Sequence, residues 1–440
     1  MTKPEFWAVF SDHPGLYIWI VAVVLFLSFC LTRVLRISLF HPATFYLFFN
    51  YQFALIAVIY LSFLGYIEAY LYGYFYFSQL FFWIGFIFFY IVSAFLSRAR
   101  ARARAKGEGG VKLSRGFRIA YNYSFYSYLF VSIFSFGMFG VPALADSKWS
   151  VYAAIPLAGV IGRVISALPY FIVVCLTVSY LNFGRLKRFD FFVLFVLILF
   201  GALGGSKVFF LKLFFIAFLV FFNLDKPLLP ARTLASGRIS KKGSIFFLGA
   251  IACFLLVSIL VYYHQLATRS VSENPFMLIV QRLVMSGDLQ IMTLPNSVIE
   301  RLNYGENLVS IVFYELKGLL AALGVLIEGR SLGVKTMVEH YPSWEANIGP
   351  ASTFDVFFYV YFKQIAYLIC FVVGALVGFL SAFKVRARNE SGLILYVILV
   401  CGVYVLIYNP QIWISETIFN LTFFMLFYLL VKLRVALNGK

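Results

Sequence analysis

Between Glu328 and Phe354 the chain reads EGRSLGVKTMVEHYPSWEANIGPASTF, and six side chains with usable chemistry fall within fifteen residues: Arg330, Lys335, Glu339, His340, Tyr341 and Trp344. Glu339 and His340 are groups able to take a proton from a hydroxyl. Tyr341 and Trp344 offer rings on which the CH-rich face of a sugar packs, and carboxylates accept from sugar hydroxyls. Arg330 and Lys335 add positive charge suited to a phosphate. The competing reading of the same run is a solvated loop rich in Pro and Gly with no chemistry.

Three more stretches place ionisable groups in apolar runs. In FMLIVQRLVMSGDLQIM, Arg282 sits at helical spacing among apolar residues, with Asp288 six positions on, beyond Gly287, which reads as a helix stop. The two are a cation and a candidate base, or else a salt-bridged structural pair. In LGGSKVFFLK, Gly204 and Gly205 form a tight turn and Lys207 opens the next helix, where free backbone N–H groups already favour an anion. The alternative for Lys207 is a lysine reaching to lipid headgroups. Lys212 lies about 140° round the helix from it and reads as a packing or paired residue. Arg163, in AGVIGRVISALPY, is either a functional cation or an interfacial arginine that snorkels.

Several chemistries lack their signatures. The chain has no Walker loop, GxSxG, HExxH or zinc spacing, and His13, His41, His264 and His340 form no cluster in sequence. Cys30, Cys175, Cys253, Cys370 and Cys401 lie within or beside apolar segments without a CxxC, and read as buried thiols. No metal ligands and no cofactor are expected.

The elements that must hold these groups are membrane helices. The 440 residues are 62% hydrophobic and 12% charged, against the ordinary quarter or so charged in a soluble domain. Windows of about 20 apolar residues give spans near 16–32, 43–65, 75–97, 119–141, 164–183, 190–204, 207–224, 244–263, 354–382, 391–408 and 418–433. The expectation is an all-α polytopic membrane protein of about eleven helices (range 10 to 14). The N-terminal MTKPEFWAVFSDHPG is followed by no small-residue cleavage site, so the first span reads as retained.

The net charge of +18 does not imply nucleic acid, because the basic residues lie in short clusters between spans. The segment 97–118 alone has eight basic residues and one acidic one. Placing it inside puts 33–36, 184–188, 226–242, 384–388 and the tail on the same side, and these six regions hold 24 of the 36 Lys and Arg. The N-terminus is then outside and the C-terminus cytoplasmic. LVSIVFYELKGLLAALGVLI (308–327) would break that parity as a span, and Glu315 and Lys317 near its centre each cost about 2.5–3.5 kcal/mol to insert. It reads as a re-entrant or interfacial helix. The division expected is therefore 1–263 with eight spans, a large outside loop 264–352 carrying interfacial helices over a cavity, and 353–440 with three spans.

Taken together, these features resemble the Wzy-type O-antigen and polysaccharide repeat-unit polymerases, metal-independent GT-C-like membrane glycosyltransferases. The resemblance is strongest over 197–380: the GGSK turn, the arginine before Ser-Gly-Asp in RLVMSGD, one large loop, and HYPSWEANIGPASTF leading into a span. Two features depart from it. Lys207 stands where arginine is common, and lysine gives no bidentate grip on phosphate. No outside arginine has a glycine eleven residues later.

The resemblance implies a bacterial inner-membrane enzyme with its active side in the periplasm. A glycan would pass from undecaprenyl diphosphate to the terminal hydroxyl of the next lipid-linked unit, without nucleotide, and a chain-length regulator would be a partner. Matched to that reaction, Arg163, Lys207, Arg282 and Arg330 are the cations for the leaving diphosphate. Glu339 or His340 is the base, with Asp288 the alternative, and Tyr341 and Trp344 hold sugar. Rival readings are a flippase for the same lipid-linked unit, which predicts two matching halves with broken helices, and an O-antigen ligase using the same donor.

Overall fold

The computed structural model describes residues 1–38, 51–103, 115–145, 158–183, 186–204, 207–223, 287–302, 330–345, 349–351, 353–383 and 390–437, with positions 41, 43, 44, 47, 284 and 311 singly between them. Among these residues every regular element is a helix. In chain order they are α1 (Lys3–Asp12), α2 (Pro14–Val34), α3 (Tyr51–Phe63), α4 (Ala69–Ala103), α5 (Arg115–Phe139), α6 (Ala158–Phe183), α7 (Arg188–Leu203), α8 (Lys207–Asn223), α9 (Asp288–Thr293), α10 (Val298–Arg301), α11 (Leu332–His340), α12 (Phe354–Phe362), α13 (Ala366–Ala382), α14 (Glu390–Tyr408) and α15 (Pro410–Leu437).

Six described helical stretches are long and apolar enough to cross a membrane: Pro14–Val34, Ala69–Ser97, Gly116–Leu144, Val164–Leu181, Ser391–Tyr408 and Pro410–Leu430. Their surroundings agree with that. Only 28%, 22% and 17% of the apolar windows of α2, α4 and α15 are buried inside the protein, and Phe26, Phe88, Phe95 and Leu430 stand exposed on them. So much apolar surface is tolerable only where lipid is the solvent. The chain thus has the build of an α-helical membrane protein.

Ten of the eleven expected spans fall wholly or partly on described helices. The expected span 244–263 lies outside the described residues, as do 308–327 apart from Ile311 and the stretch Pro275–Met285 apart from Val284. The expected span 354–382 is broken: α12 stops at Phe362, Lys363 takes φ 28°, and a single 3-10 turn, Lys363–Ile365, precedes α13. Neither Pro nor Gly causes the break; it lets the Lys363 ammonium turn aside and donate to Glu300 Oε2 at 2.8 Å.

By compactness the chain forms two units. The first comprises 1–103, 274–383 and 399–418, and the second 104–273, 384–398 and 419–440. In the first unit α4 packs along α13 with almost no separation. A Cβ on Gly374 would lie 2.0 Å from the Phe82 carbonyl oxygen, one on Gly378 2.2 Å from that of Phe86, and one on Gly85 2.4 Å from that of Phe371. Gly374 and Gly378, four apart and so on one face, form the small-xxx-small surface through which membrane helices approach closely. Beside it Phe6, Tyr17 and Tyr60 join α1, α2 and α3, with Tyr17 and Tyr60 edge to face at 5.3 Å and Phe6 and Tyr60 at 6.1 Å. The Tyr60 hydroxyl caps the cluster by donating to the Val9 carbonyl at 2.9 Å.

In the second unit α5, α6, α7 and α8 pack on one another. Asp190 ties α7 to α5: it accepts from the Lys187 backbone N–H at 3.0 Å and from the Tyr121 hydroxyl at 3.0 Å. α7 ends at Leu203 and α8 opens at Lys207, the helix start that the GGSK run predicts. Lys212 lies over the Tyr170 ring, 4.7 Å from its centroid, a packing role as expected.

Candidate functional site

The site is built round α9, a six-residue helix with the sequence DLQIMT. Its amino end presses on α3, where a Cβ at Gly287 would stand 3.1 Å from Ala54 Cα and 3.2 Å from Ala57 Cβ. Gly287 is the residue from which α9 opens, and its lack of a side chain eases that close approach. Leu289, Ile291 and Met292 are buried and hold the helix in place. Three polar groups then project from this short element to three different neighbours: the Asp288 carboxylate, the Gln290 carboxamide and the Met292 carbonyl.

Asp288 forms an ion pair with Lys3 of α1. α1 is itself well defined: Thr2 and Glu5 form a reciprocal cap, with the Glu5 carboxylate accepting from the Thr2 N–H at 2.7 Å. That hydrogen bond holds the Glu5 carboxyl below the usual carboxylate range.

The Met292 carbonyl accepts from His340 Nε2 at 2.7 Å. A carbonyl oxygen can only accept, so Nε2 carries the proton and, in the neutral ring, Nδ1 keeps a lone pair. His340 closes α11, whose start is fixed by the Ser331 hydroxyl accepting from the Val334 N–H at 3.3 Å and by Gln411 Oε1 accepting from the Leu332 N–H at 3.0 Å. Gly333 lets the chain of Gly349 and Pro350 lie directly on this turn, since a Cβ there would be 2.0 Å from the Pro350 oxygen.

Glu339, one residue earlier, accepts from Arg301 Nε at 2.9 Å. Arg301 ends α10, which follows two left-handed residues, Asn296 at φ 59° and Ser297 at φ 52°. These sparsely populated conformations are tied down from the start of α4 and the residue before it: the Ser297 hydroxyl donates to Glu68 at 2.7 Å and accepts from Tyr70 at 3.2 Å. The neighbouring Glu300 accepts from Lys363 and from the Tyr359 hydroxyl. Partial burial works to raise the Glu300 carboxyl, and the hydrogen bonds from Lys363 and Tyr359 outweigh it, leaving the group below its ordinary range.

Beyond His340 the chain turns, the Trp344 N–H donating to the Tyr341 carbonyl at 2.8 Å. The Tyr341 and Trp344 rings stand 6.4 Å apart, and Tyr341 is the same distance from the imidazole. Tyr341 is exposed and Trp344 half-buried, so this aromatic edge is open to a ligand.

Of the residues singled out in sequence, Asp288, Glu339, His340, Tyr341 and Trp344 belong to this one assembly of α9, α10 and α11, and Arg330 is exposed just ahead of the α11 cap. Lys335 is turned inward instead: it is buried and donates to the Tyr361 hydroxyl at 3.2 Å. Arg163, within α6, and Lys207, at the start of α8, belong to the second unit. Arg282 lies outside the described residues. The sequence pairing of Arg282 with Asp288 gains a competitor in Lys3, 285 positions from Asp288, which no sequence window brings near it.

Sequence reasoning passed over Arg301, Glu300 and, most of all, Asp355. Asp355 lies second in α12 and is 2% exposed. Its Oδ2 accepts from the Tyr51 hydroxyl at 2.8 Å and from Gln79 Nε2 at 3.2 Å, and its Oδ1 from the Val356 N–H at 2.8 Å and from Gln290 Nε2 at 3.5 Å. The signal was available: an acid inside FDVFFYVYF, and a glutamine inside FSQLFFW, are both costly in an apolar helix. Among the described residues no group of three or more His, Cys, Asp and Glu is gathered to hold a metal.

Comparison of the chain with protein-family models, with curated proteins and with solved structures found no match. The functional reading therefore rests on the residues themselves.

Proposed function

We propose that the chain polymerises lipid-linked oligosaccharide repeat units, transferring a growing glycan from its undecaprenyl diphosphate carrier to the terminal sugar hydroxyl of a new unit. The observation that carries this reading is His340: one imidazole nitrogen is anchored on the Met292 carbonyl, and the ring stands beside Tyr341 and Trp344. An anchored imidazole next to an open aromatic edge is what general-base attack by a sugar hydroxyl requires.

In the proposed step the acceptor hydroxyl oxygen bonds to the anomeric carbon of the donor. The bond from that carbon to the diphosphate breaks, the electron pair leaves with the diphosphate, and the hydroxyl proton passes to His340 Nδ1. Among these residues, Glu339 and Asp288 are already held by Arg301 and Lys3, which leaves His340 as the preferred acceptor. Arg330 is the cation of this unit assigned to the diphosphate; Arg163, Lys207 and Arg282 enter on sequence grounds alone, from their charge in apolar runs. A periplasmic N-terminus and active side, with the C-terminus in the cytoplasm of a bacterial inner membrane, complete the proposal. It is supported by the basic loops and by the ion pair that keeps α1 with α9.

The test is a strain lacking this reading frame. Lipopolysaccharide capped with a single repeat, restored to full length by the wild-type chain, is the expected result. Polymer left on the lipid carrier would make the protein a ligase, and absence of both polymer and single repeats would make it a flippase.

A further inference from the structure

The Asp355 cluster is not used by the proposed reaction, and it has the composition of a ligand site. Five residues from four helices and one helix cap converge there: Tyr51 of α3, Gln79 of α4, Gln290 of α9, Thr353 before α12, and Asp355 itself. Gln290 also donates to the Thr353 hydroxyl at 2.6 Å, and Gln79 to the Tyr51 hydroxyl.

Two features need an explanation together. The first is charge. Four donors already point at the two carboxylate oxygens, so a carboxyl proton has no acceptor to meet unless a donor turns away; the arrangement suits the ionised form. An ionised carboxylate this deeply buried is costly unless its charge is balanced. Every contact recorded for Asp355 among the described residues is from a neutral group.

The second is a surplus of oxygen. Gln79 Oε1 and Gln290 Oε1 are buried and have no hydrogen-bond partner, although Gln79 is only 6% and Gln290 only 1% exposed. These oxygens belong to the same carboxamides whose nitrogens touch Asp355. A half-turn of each amide exchanges its oxygen and nitrogen with little change of shape, presenting oxygen where N–H now points.

We infer that Asp355, Gln79, Gln290, Tyr51 and Thr353 bind a monovalent alkali cation. All of the donors are then oxygen, as a hard cation prefers. A single carboxylate neutralises one positive charge and would leave a divalent ion half unbalanced. With the amides turned, the ion balances Asp355 and takes the carboxamide oxygens as ligands, while the NH2 groups move to the positions the oxygens now hold. Because Gln290 lies on α9, the ion ties that helix to α3, α4 and α12.

The experiment uses the purified full-length protein in detergent, melted in sodium, potassium or choline chloride at equal ionic strength and fixed pH. The expected result is a saturable rise in Tm in sodium or potassium over choline, about 3 °C at a hundredfold excess over Kd. Asp355→Asn and Gln79→Leu are each expected to abolish the cation dependence. Equal Tm in all three salts overturns the proposal, and the wild-type series decides this even if Asp355→Asn does not fold. A cation dependence that survives in both variants also overturns it, since the ion would then bind elsewhere.

Discussion

His340 Nε2 and the Met292 carbonyl oxygen lie 2.7 Å apart, so a residue at the end of α11 has its tautomer set by the backbone of α9. The proton acceptor that remains is Nδ1. His340→Gln tests this directly, because a glutamine carboxamide N–H reaches to where Nε2 sits but offers no basic nitrogen. Normal folded yield with polymer synthesis reduced about 10²- to 10⁴-fold is expected, read from lipopolysaccharide chain length or from polymer made by purified protein. Retained activity would remove His340 from the proposed mechanism.

The ion pair of Arg301 with Glu339 separates the two neighbouring candidates for the base. Their side chains are 59% and 22% exposed, so the pair contributes on the order of 1 kcal/mol or less to stability. Glu339→Gln is expected to leave Tm nearly unchanged and to lower the rate by less than about tenfold. A loss as deep as that of His340→Gln would reassign the base to Glu339.

Tyr341 and Trp344 are proposed to hold sugar in the ground and transition states alike. Replacing either by Ala should raise KM about tenfold while kcat changes little. A fall in kcat at constant KM would instead mean that the rings act on the reaction step.

Much of this assembly could be read in the sequence because its members are close neighbours along the chain. Glu339, His340, Tyr341 and Trp344 share one helix end and one turn, and Lys207 opens α8 where the sequence places a helix start. What escaped was long-range. Lys3 reaches Asp288 across 285 positions and Tyr51 reaches Asp355 across 304, and neither pairing leaves a local pattern. The break at Lys363 was equally hidden, since no Gly or Pro marks it and its reason is a partner, Glu300, 63 residues away. That Gly287 also opens α9 and lies against Ala54 of α3 is likewise a long-range fact that no local pattern shows.

Glu300 gives the assembly a pH dependence. Its carboxyl titrates below the ordinary value of about 4.3 because Lys363 and Tyr359 stabilise the charged form against partial burial. A depressed folded pKa adds stability that is fully present above the unfolded value and disappears as pH falls through the folded one. Wild type should therefore melt higher than Glu300→Gln at pH 7, and the gap should close below about pH 4. Melting curves from pH 3 to pH 7 measure it, and a gap independent of pH would assign the effect of Glu300 to shape rather than charge.

The contact of α4 with α13 makes the sharpest demand on residue size. A Cβ at Gly374 would sit 2.0 Å from the Phe82 carbonyl oxygen, an atom of a helix backbone that cannot swing aside as a side chain can. The helices must separate to admit even a methyl group, and that separation loosens the Gly378 contact with Phe86 one turn away. Gly374→Val is expected to cost about 3 kcal/mol or more, and Gly374→Ala somewhat less, seen as loss of folded protein in detergent. Gly73→Ala is the control, for the same α4 has nothing within 4 Å of a Cβ at that position, and removing a helical glycine there should be neutral or stabilising by up to about 1 kcal/mol. Equal tolerance at positions 374 and 73 would show that α4 and α13 are not held in direct backbone contact.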